Sequence, residues 1–341
     1  MKEKIGKNGN AAHEPSRISI VFENNGLLPM LFGENDAHLA RIEKKFNVSA
    51  SSRGNVLAIS GGRGNVEASK SILETLYAEL EKGGEVGSAQ VDAAIRMMMP
   101  QEPHDPKATL FGDQDIVIKT MKKTIKPYSL VQSKYIQLLG SNEMVFALGP
   151  AGTGKTYIAV AMAVSMFYSK RVEKIILSRP AVEAGEKLGF LPGDLKEKVD
   201  PYLRPLYDAL YDMIPGEQLV RHMENGEIEV APLAFMRGRT FSNAFVILDE
   251  AQNTTPTQMK MFLTRMGEGS RMVVTGDLSQ TDLPKDVKSG LGDAIRKVEN
   301  IPGIGTVRFS DTDVVRHDLA AKIIQAYEEW DRKKKNNSAD S

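Results

Sequence analysis

The sequence predicts an α/β protein built on a mainly parallel sheet and preceded by a small α+β domain. Three observations predict it. Short apolar strands alternate with helical stretches beyond Gly112, a glycine-rich phosphate-binding loop joins one such strand to the helix after it, and residues 15–83 instead carry a β-α-α-β-β-α order. Strands buried on both faces read as continuous apolar runs, because helices cover each face of a parallel sheet.

The elements follow in order. Residues 1–14 are polar and without periodicity, the pattern of a disordered lead-in. A strand is expected at 17–22, a turn at Asn24-Asn25-Gly26, and a helix at 36–46 with Leu39, Ile42 and Phe46 on one face. Strands at 48–52 and 56–60 flank the turn Arg53-Gly54-Asn55, and Val66, Ile72, Leu73, Leu76 and Leu80 mark an amphipathic helix. Gly83-Gly84 ends it. Residues 84–112 hold one short helix expected at 88–99 and then Pro100, Pro103 and Pro106, so they read as a linker. The second domain, 113–330, has strands expected at 144–148, 174–178, 228–231, 245–248, 272–275 and 306–309. Residues 331–341 are a charged, polar tail expected to be disordered.

A chain of 341 residues with 41% hydrophobic content has the length of about two domains and enough apolar surface for a core. Lys plus Arg and Asp plus Glu each total 44, so there is no global positive field to bind nucleic acid indiscriminately. Such binding needs a local patch. The sequence has no cysteine, which excludes disulfides, thiolate metal sites and cysteine nucleophiles and leaves oxygen or histidine to hold any metal. No run approaches the ~18 apolar residues of a membrane helix, and residues 1–30 have no signal-type apolar stretch. A cytoplasmic location with no membrane partner is therefore expected.

Gly149-Pro150-Ala151-Gly152-Thr153-Gly154-Lys155-Thr156 satisfies G-x-x-x-x-G-K-[ST] at every position. An apolar strand precedes it and an alanine-rich helix follows. Glycines let backbone N–H groups turn toward phosphate oxygens, and the helix N-terminus adds favourable partial charge. Lys155 would reach the β and γ phosphates of ATP, and Thr156 would offer its hydroxyl to Mg2+.

A second apolar strand runs into Asp249-Glu250. Asp249 is placed to hold the Mg2+ shell, and Glu250 to activate the attacking water, since phosphoryl transfer asks mainly for positioning and charge stabilisation. A third strand ends in Gly276-Asp277-Leu278-Ser279-Gln280, where the amide of Gln280 could donate to the γ-phosphate and lose that bond on hydrolysis.

Longer strings carry a family resemblance. They are Ser178-Arg179-Pro180-Ala181-Val182-Glu183-Ala184-Gly185-Glu186-Lys187-Leu188-Gly189-Phe190-Leu191-Pro192-Gly193-Asp194, then Ala231-Pro232-Leu233-Ala234-Phe235-Met236-Arg237-Gly238-Arg239-Thr240, residues 248–265, 276–284, and Asp313-Val314-Val315-Arg316-His317. Over residues 112–330 the sequence resembles the PhoH family of ATPases, which are similar to the first motor domain of superfamily 1 helicases. The resemblance implies a P-loop NTPase with a RecA-like core, in which the strand beginning at Met272 lies between those beginning at Met144 and Phe245. It implies that Gln132 reads adenine, and that Arg179 and the loop after it touch single-stranded nucleic acid. The first domain is similar to a KH module, with one departure. The turn corresponding to the KH G-x-x-G loop reads Gly33-Glu34-Asn35-Asp36, with acids where phosphates would lie, which favours a protein-contact or structural role.

Efficient γ-phosphate cleavage needs a cationic finger, and no second motor domain follows residue 330 in this sequence to supply one. A homo-oligomeric ring is expected, each subunit lending an arginine to the next, in keeping with the hexameric tendency of the family. Candidates are Arg237, Arg239, Arg265 and Arg316, with Arg316 assigned the catalytic role. The expected function is an ATPase, in the family manner an RNA-acting one with weak helicase or remodelling activity in RNA processing or ribosome maturation. The resemblance implies single-stranded RNA and a YbeY-type endoribonuclease as partners. The alternative is a nucleotide-dependent switch that regulates a protein partner without gripping nucleic acid. A small-molecule kinase fits less well, because Asp249-Glu250 with Gln280 suits activated water better than an acceptor hydroxyl.

Overall fold

The computed structural model describes residues 15–98, 116–180, 195–284 and 286–314. The expected lead-in, the tail and Arg316 lie outside them. The chain divides into two units, Met1–Gln114 and Asp115–Ser341.

The first unit runs β1 (Pro15–Val21), α1 (Leu28–Phe32), α2 (Ala37–Phe46), β2 (Ser49–Arg53), β3 (Val56–Gly62) and α3 (Arg63–Glu81), the β-α-α-β-β-α order read from the sequence. The strands pair antiparallel in the order β1-β3-β2. Alternation places Leu57 and Ile59 of β3 on one face, and both are buried in a core shared with Ile72 and Leu73 of α3.

The short helix read at 88–99 is present, and the assignment of that stretch to a linker over 84–112 is corrected. Residues 88–98 form α4 (Ser88–Met98), which belongs to the first unit: Val91 and Ile95, one turn apart, are buried in the core that holds Leu73 and Leu76. Arg41 of α2 donates to both carboxylate oxygens of Asp92, at 3.1 and 2.9 Å. The i, i+4 apolar stripe outweighs the Gly83-Gly84 break before it. The three prolines that signalled a linker lie beyond this helix, outside the described residues.

The second unit opens with a small hairpin, β4 (Ile118–Lys119) and β5 (Thr124–Ile125), too short to carry a period and not anticipated. Then come α5 (Leu130–Ser141), β6 (Met144–Leu148), α6 (Lys155–Tyr168), β7 (Lys174–Arg179), α7 (Leu195–Met213), α8 (Gly216–Glu224), β8 (Ile228–Pro232), β9 (Ala244–Leu248), α9 (Pro256–Leu263), β10 (Arg271–Gly276), α10 (Gly290–Val298) and β11 (Ile304–Arg308). The six strands β6 to β11 form one sheet in the order β11-β6-β10-β9-β7-β8, every neighbouring pair parallel. β10 separates β6 from β9, the RecA-like arrangement expected.

The period-2 alternation of the strands builds a core on each face. Val145 and Ala147 of β6, Phe245 and Ile247 of β9 and Ile175 and Leu177 of β7 share one core with α5 to α8. Phe146, Val246 and Ile176, the intervening residues, share the other with α9 and α10. All five residues of β6 and of β9 are buried, and at ~1.5–3 kcal/mol for each large apolar side chain these strands have no stable place at an edge. Register then sets the chemistry: Leu148 pairs with Gly276, Val274 with Leu248, and Leu248 with Ser178, so the carboxyl ends of four adjacent strands finish together. Among the described residues no helix is long and apolar enough to cross a membrane.

Candidate active site

The loop between β6 and α6 is built on glycines that have no substitute. Gly149 has φ 137°, and a Cβ there would lie 2.4 Å from the carbonyl oxygen of Phe309. Gly154 has φ 81°, and its Cβ would crowd the Gln132 amide at 3.1 Å. Hydrogen bonds from Gly149 N to Gly276 O (3.1 Å) and from Phe309 N to Leu148 O (2.7 Å) moor the loop to β10 and to the end of β11. Inside it the Thr153 hydroxyl donates to Pro150 O at 2.9 Å, and the ammonium of Lys155 donates to Gly149 O at 2.6 Å and Pro150 O at 2.7 Å. The lysine is thus held against the turn whose backbone would face a phosphate.

Below the loop α5 acts as a brace. Gln132 is buried, accepts from Tyr128 N at 2.6 Å and donates to Thr153 O at 3.0 Å. Tyr135 donates its phenolic hydrogen to Lys155 O at 3.2 Å. Complete burial, with the charge of Asp249 close by, pushes the Tyr135 phenol well above its ordinary pKa, so it stays a donor.

At the end of β9 the Asp249 Oδ1 accepts from Thr156 and from Thr275, both at 2.6 Å. Asp249 is 5% exposed, so these donors replace water. Glu250 follows in the left-handed region, φ 51°, ψ 40°. Its Oε1 meets Arg179 Nη2 at 2.7 Å, and its Oε2 accepts from Gln252 Nε2. Gln252 in turn accepts from Asp277 N at 3.0 Å. Asp277 takes Ser279 N and Oγ on one carboxylate oxygen, and its other oxygen is buried without a partner among the described residues. Asn253 and Asp282 exchange two hydrogen bonds, at 3.2 and 2.8 Å, which pin the segment carrying Gln280.

These groups surround a cavity of about 240 Å³, lined by the loop glycines Gly152 and Gly154 with Lys155, Thr156, Asp249, Glu250, Asp277 and Gln280. The structure therefore brings together Gly149 to Thr156, Asp249, Glu250 and Gln280. Gln132 supports the loop from outside the cavity lining, both ends of its amide committed to backbone. The donor set fits a magnesium nucleoside triphosphate: an amide cradle and an ammonium for phosphate, two adjacent hard oxygens on Thr156 and Asp249 for the cation, and an orphaned carboxylate oxygen on Asp277. Among the described residues no three of His, Cys, Asp or Glu gather to hold a metal, so a divalent ion would complete its shell with phosphate and water.

The sequence pointed past three residues of this site. Arg179, which the resemblance put at a strand-contacting surface, reaches the two acids. Gln252 and Thr275 lock Glu250 and Asp249; each stood in or beside a string already noted, Gln252 three positions after Asp249 and Thr275 at the end of β10. A second cluster borders the cavity, where Tyr157 and Lys123 both donate to Asp212 Oδ2 at 2.6 Å. The Lys123 and Tyr157 hydrogen bonds hold the Asp212 carboxyl below its ordinary pKa. A larger cavity of about 510 Å³ lies in the first unit beside Phe32, the Gly33 turn and Gly54. The acids Glu34 and Asp36 of that turn are exposed.

A family model described as PhoH-like protein matches residues 124–328. A PhoH-like protein of Bacillus subtilis (strain 168) is 50% identical over 298 residues, which span 87% of this chain and 93% of that one. A PhoH-like protein of Mycobacterium leprae (strain TN) is 46% identical over 301 residues, 88% of this chain and 85% of its own. Protein PhoH of Escherichia coli (strain K12) is 48% identical over 198 residues, 58% of this chain and 56% of its own. Among solved structures, the Pif1 helicase of Candida albicans aligns with a TM-score of 0.28 at 14% identity, over 53% of this chain and 39% of that one, a likeness too slight to carry an argument. The phosphate loop, the acids beside it and the matched span make this a nucleotide-binding P-loop protein, and the chain belongs to the PhoH family.

Proposed function

We propose that the chain hydrolyses ATP in the cavity between β6 and β10 and couples hydrolysis to RNA. The observation that carries the hydrolytic half is the meeting of Lys155, Thr156, Asp249, Glu250 and Gln280 around one cavity. The loop amides and Lys155 bind the β and γ phosphates, and the helix α6 N-terminus favours their charge. Thr156 and Asp249 would hold Mg2+, which when bound would neutralise charge on the phosphates. Glu250 takes a proton from the attacking water, Tyr135 and Gln132 keep the loop in shape, and Gln280 senses the γ-phosphate from the end of β10.

The RNA half rests on the family resemblance to helicase-like motors, as does the YbeY-type partner, and the cytoplasmic location rests on the apolar pattern of the sequence. A ring in which a neighbour lends the cation completes the reading, because Arg239 and Arg265 are held within their own unit and Arg237 is exposed. A second reading, a nucleotide-dependent switch acting on a protein partner, is favoured by the exposed acids Glu34 and Asp36 and by the balanced net charge.

ATP turnover of wild type, Lys155→Ala and Glu250→Gln, with and without single-stranded RNA at several salt concentrations, tests both. Lys155→Ala should lose nucleotide binding, whereas Glu250→Gln should bind and not turn over. Stimulation by RNA that fades as salt rises supports the motor, and indifference to RNA supports the switch. Normal hydrolysis by Glu250→Gln would remove Glu250 as the base.

A further inference from the structure

We propose that Arg179 is a positioning residue for hydrolysis, holding the Glu250 carboxylate and tying it to α7, so that the aim of Glu250 follows the place of that helix. The inference rests on the reading of Glu250 as the base. Arg179 ends β7 and spends all three guanidinium nitrogens within the second unit. Nη2 meets Glu250 Oε1 at 2.7 Å, Nε stands 3.8 Å from Asp249 Oδ2, and Nη1 donates to the carbonyl of Tyr202 on α7 at 2.9 Å. Its side chain is only 20% exposed. Asp249 and Glu250 line the cavity and Arg179 does not, which separates a residue that sets the acids from one that touches the phosphate.

Glu250 needs such a clamp. It is a non-glycine residue at φ 51°, a conformation that persists only where surrounding contacts fix it. Arg179 grips one oxygen from β7, and Gln252 grips the other while accepting from Asp277 at the end of β10. Each carboxylate oxygen keeps a second lone pair, so the clamped acid can still accept a proton from water. A lysine would not serve in place of the arginine, because one ammonium cannot span Glu250 and the Tyr202 carbonyl as the planar fork does. The route through Tyr202 gives the clamp a lever: a ligand that shifts α7 against β7 pulls on Arg179 and, through it, on Glu250.

The test uses the full chain and two readouts, steady-state ATP turnover and binding of a fluorescent non-hydrolysable ATP analogue with Mg2+. Arg179→Ala should lower kcat by about 10- to 100-fold, the scale of a misplaced catalytic group. Analogue affinity should stay within about threefold of wild type. Added millimolar guanidinium should restore part of the rate, which a purely structural role would not allow. Because the two residues act as a unit, Arg179→Ala/Glu250→Gln should be no slower than Glu250→Gln alone. Wild-type turnover in Arg179→Ala, a loss seen wholly as weaker analogue binding, or losses that multiply in the double variant would each overturn the proposal. Should Arg179→Ala melt early, Arg179→Gln, which can reach one anchor but not both, takes its place under the same criteria. Wild-type hydrolysis by Glu250→Gln would instead fail the base itself, a result that can be told apart from any of these.

Discussion

Thr275→Val tests how Asp249 is held. Thr275 is fully buried at the end of β10, and its hydroxyl donates to the Asp249 oxygen that also accepts from Thr156. Valine keeps the branched shape and removes the donor. A hydrogen bond to a charged group contributes about 1.5–3 kcal/mol, and with Asp249 only 5% exposed water cannot take the vacated place. For a unit of this size each kcal/mol moves Tm by roughly 2–4 °C, so the variant should melt about 3–12 °C lower. Loss of one of two anchors also loosens the carboxylate that is read as a magnesium ligand, so the Mg2+ dependence of ATP turnover should move to higher concentration by roughly tenfold for each 1.4 kcal/mol. Thr275→Ser, which retains the hydroxyl, should recover most of both effects. The checks are calorimetric melting and a Mg2+ titration of the rate. A Thr275→Val protein that melts within about 1 °C of wild type and keeps its Mg2+ profile would refute this account of Asp249.

Two further outcomes follow from the same unit. Gly149→Ala forces a Cβ to within 2.4 Å of Phe309 O at φ 137°, so the loop and the end of β11 must part; nucleotide affinity should drop at least about tenfold, with about 1–3 kcal/mol of stability, and an unchanged nucleotide titration would contradict the crowding argument. Asp212→Asn should show a pH-dependent cost. The folded carboxyl lies below its ordinary value of 3.8, so its stabilisation is present above that pH and is lost as pH falls through the folded value. With the Lys123 and Asp212 side chains 40% and 42% exposed the gap is at most about 1 kcal/mol. The gap between the melting curves of wild type and variant should stay flat from pH 7 down to about pH 5 and shrink as pH falls below 3.8, and a gap still constant at about pH 2 would sink the assignment.

Much of the second unit was legible because its strands are buried on both faces, and five-residue apolar runs have few other readings. All six strands lie where the runs placed them, with bounds differing by one or two residues at most ends. The site was legible where chemistry is local: the loop and the Asp249-Glu250 pair are contiguous in sequence. It was not legible where partners come from other strands. Thr275 holds Asp249 through a bond set by the register of β9 against β10, 26 positions away in sequence, whereas Gln252, only two positions from Glu250, owes its orientation to the bond it accepts from Asp277 at the end of β10. Arg179 shows the same limit, lying 71 positions from the Glu250 it pairs with. In the first unit, glycine and proline flanks suggested a linker, whereas Val91 and Ile95 had an apolar surface to cover on α3 and α2, and tertiary packing decided the matter.

The proposed ring makes a demand that an independent monomer does not. Arg239 makes two 2.7 Å bonds to Glu229 and lies 5.3 Å over the Phe241 ring, and Arg265 donates to Met261 O at 3.1 Å and Arg239 O at 3.3 Å. Swinging either into a neighbour breaks bonds of about 1–3 kcal/mol. Arg237 is exposed, is paired with no described residue, and stands two positions from Phe235, itself 48% exposed, so it can reach outward without that loss. Arg237→Ala then keeps its own phosphate loop but has no cation to lend, while Lys155→Ala has lost its loop but can still lend one. Each variant alone should be nearly inactive. Mixed in equal amounts and allowed to exchange, half the sites have a working loop and half of those sit beside a lender, so about a quarter of the wild-type rate should return. Two inactive variants that stay inactive when mixed would deny a shared site, and wild-type turnover in Arg237→Ala alone would pass the role to Arg316.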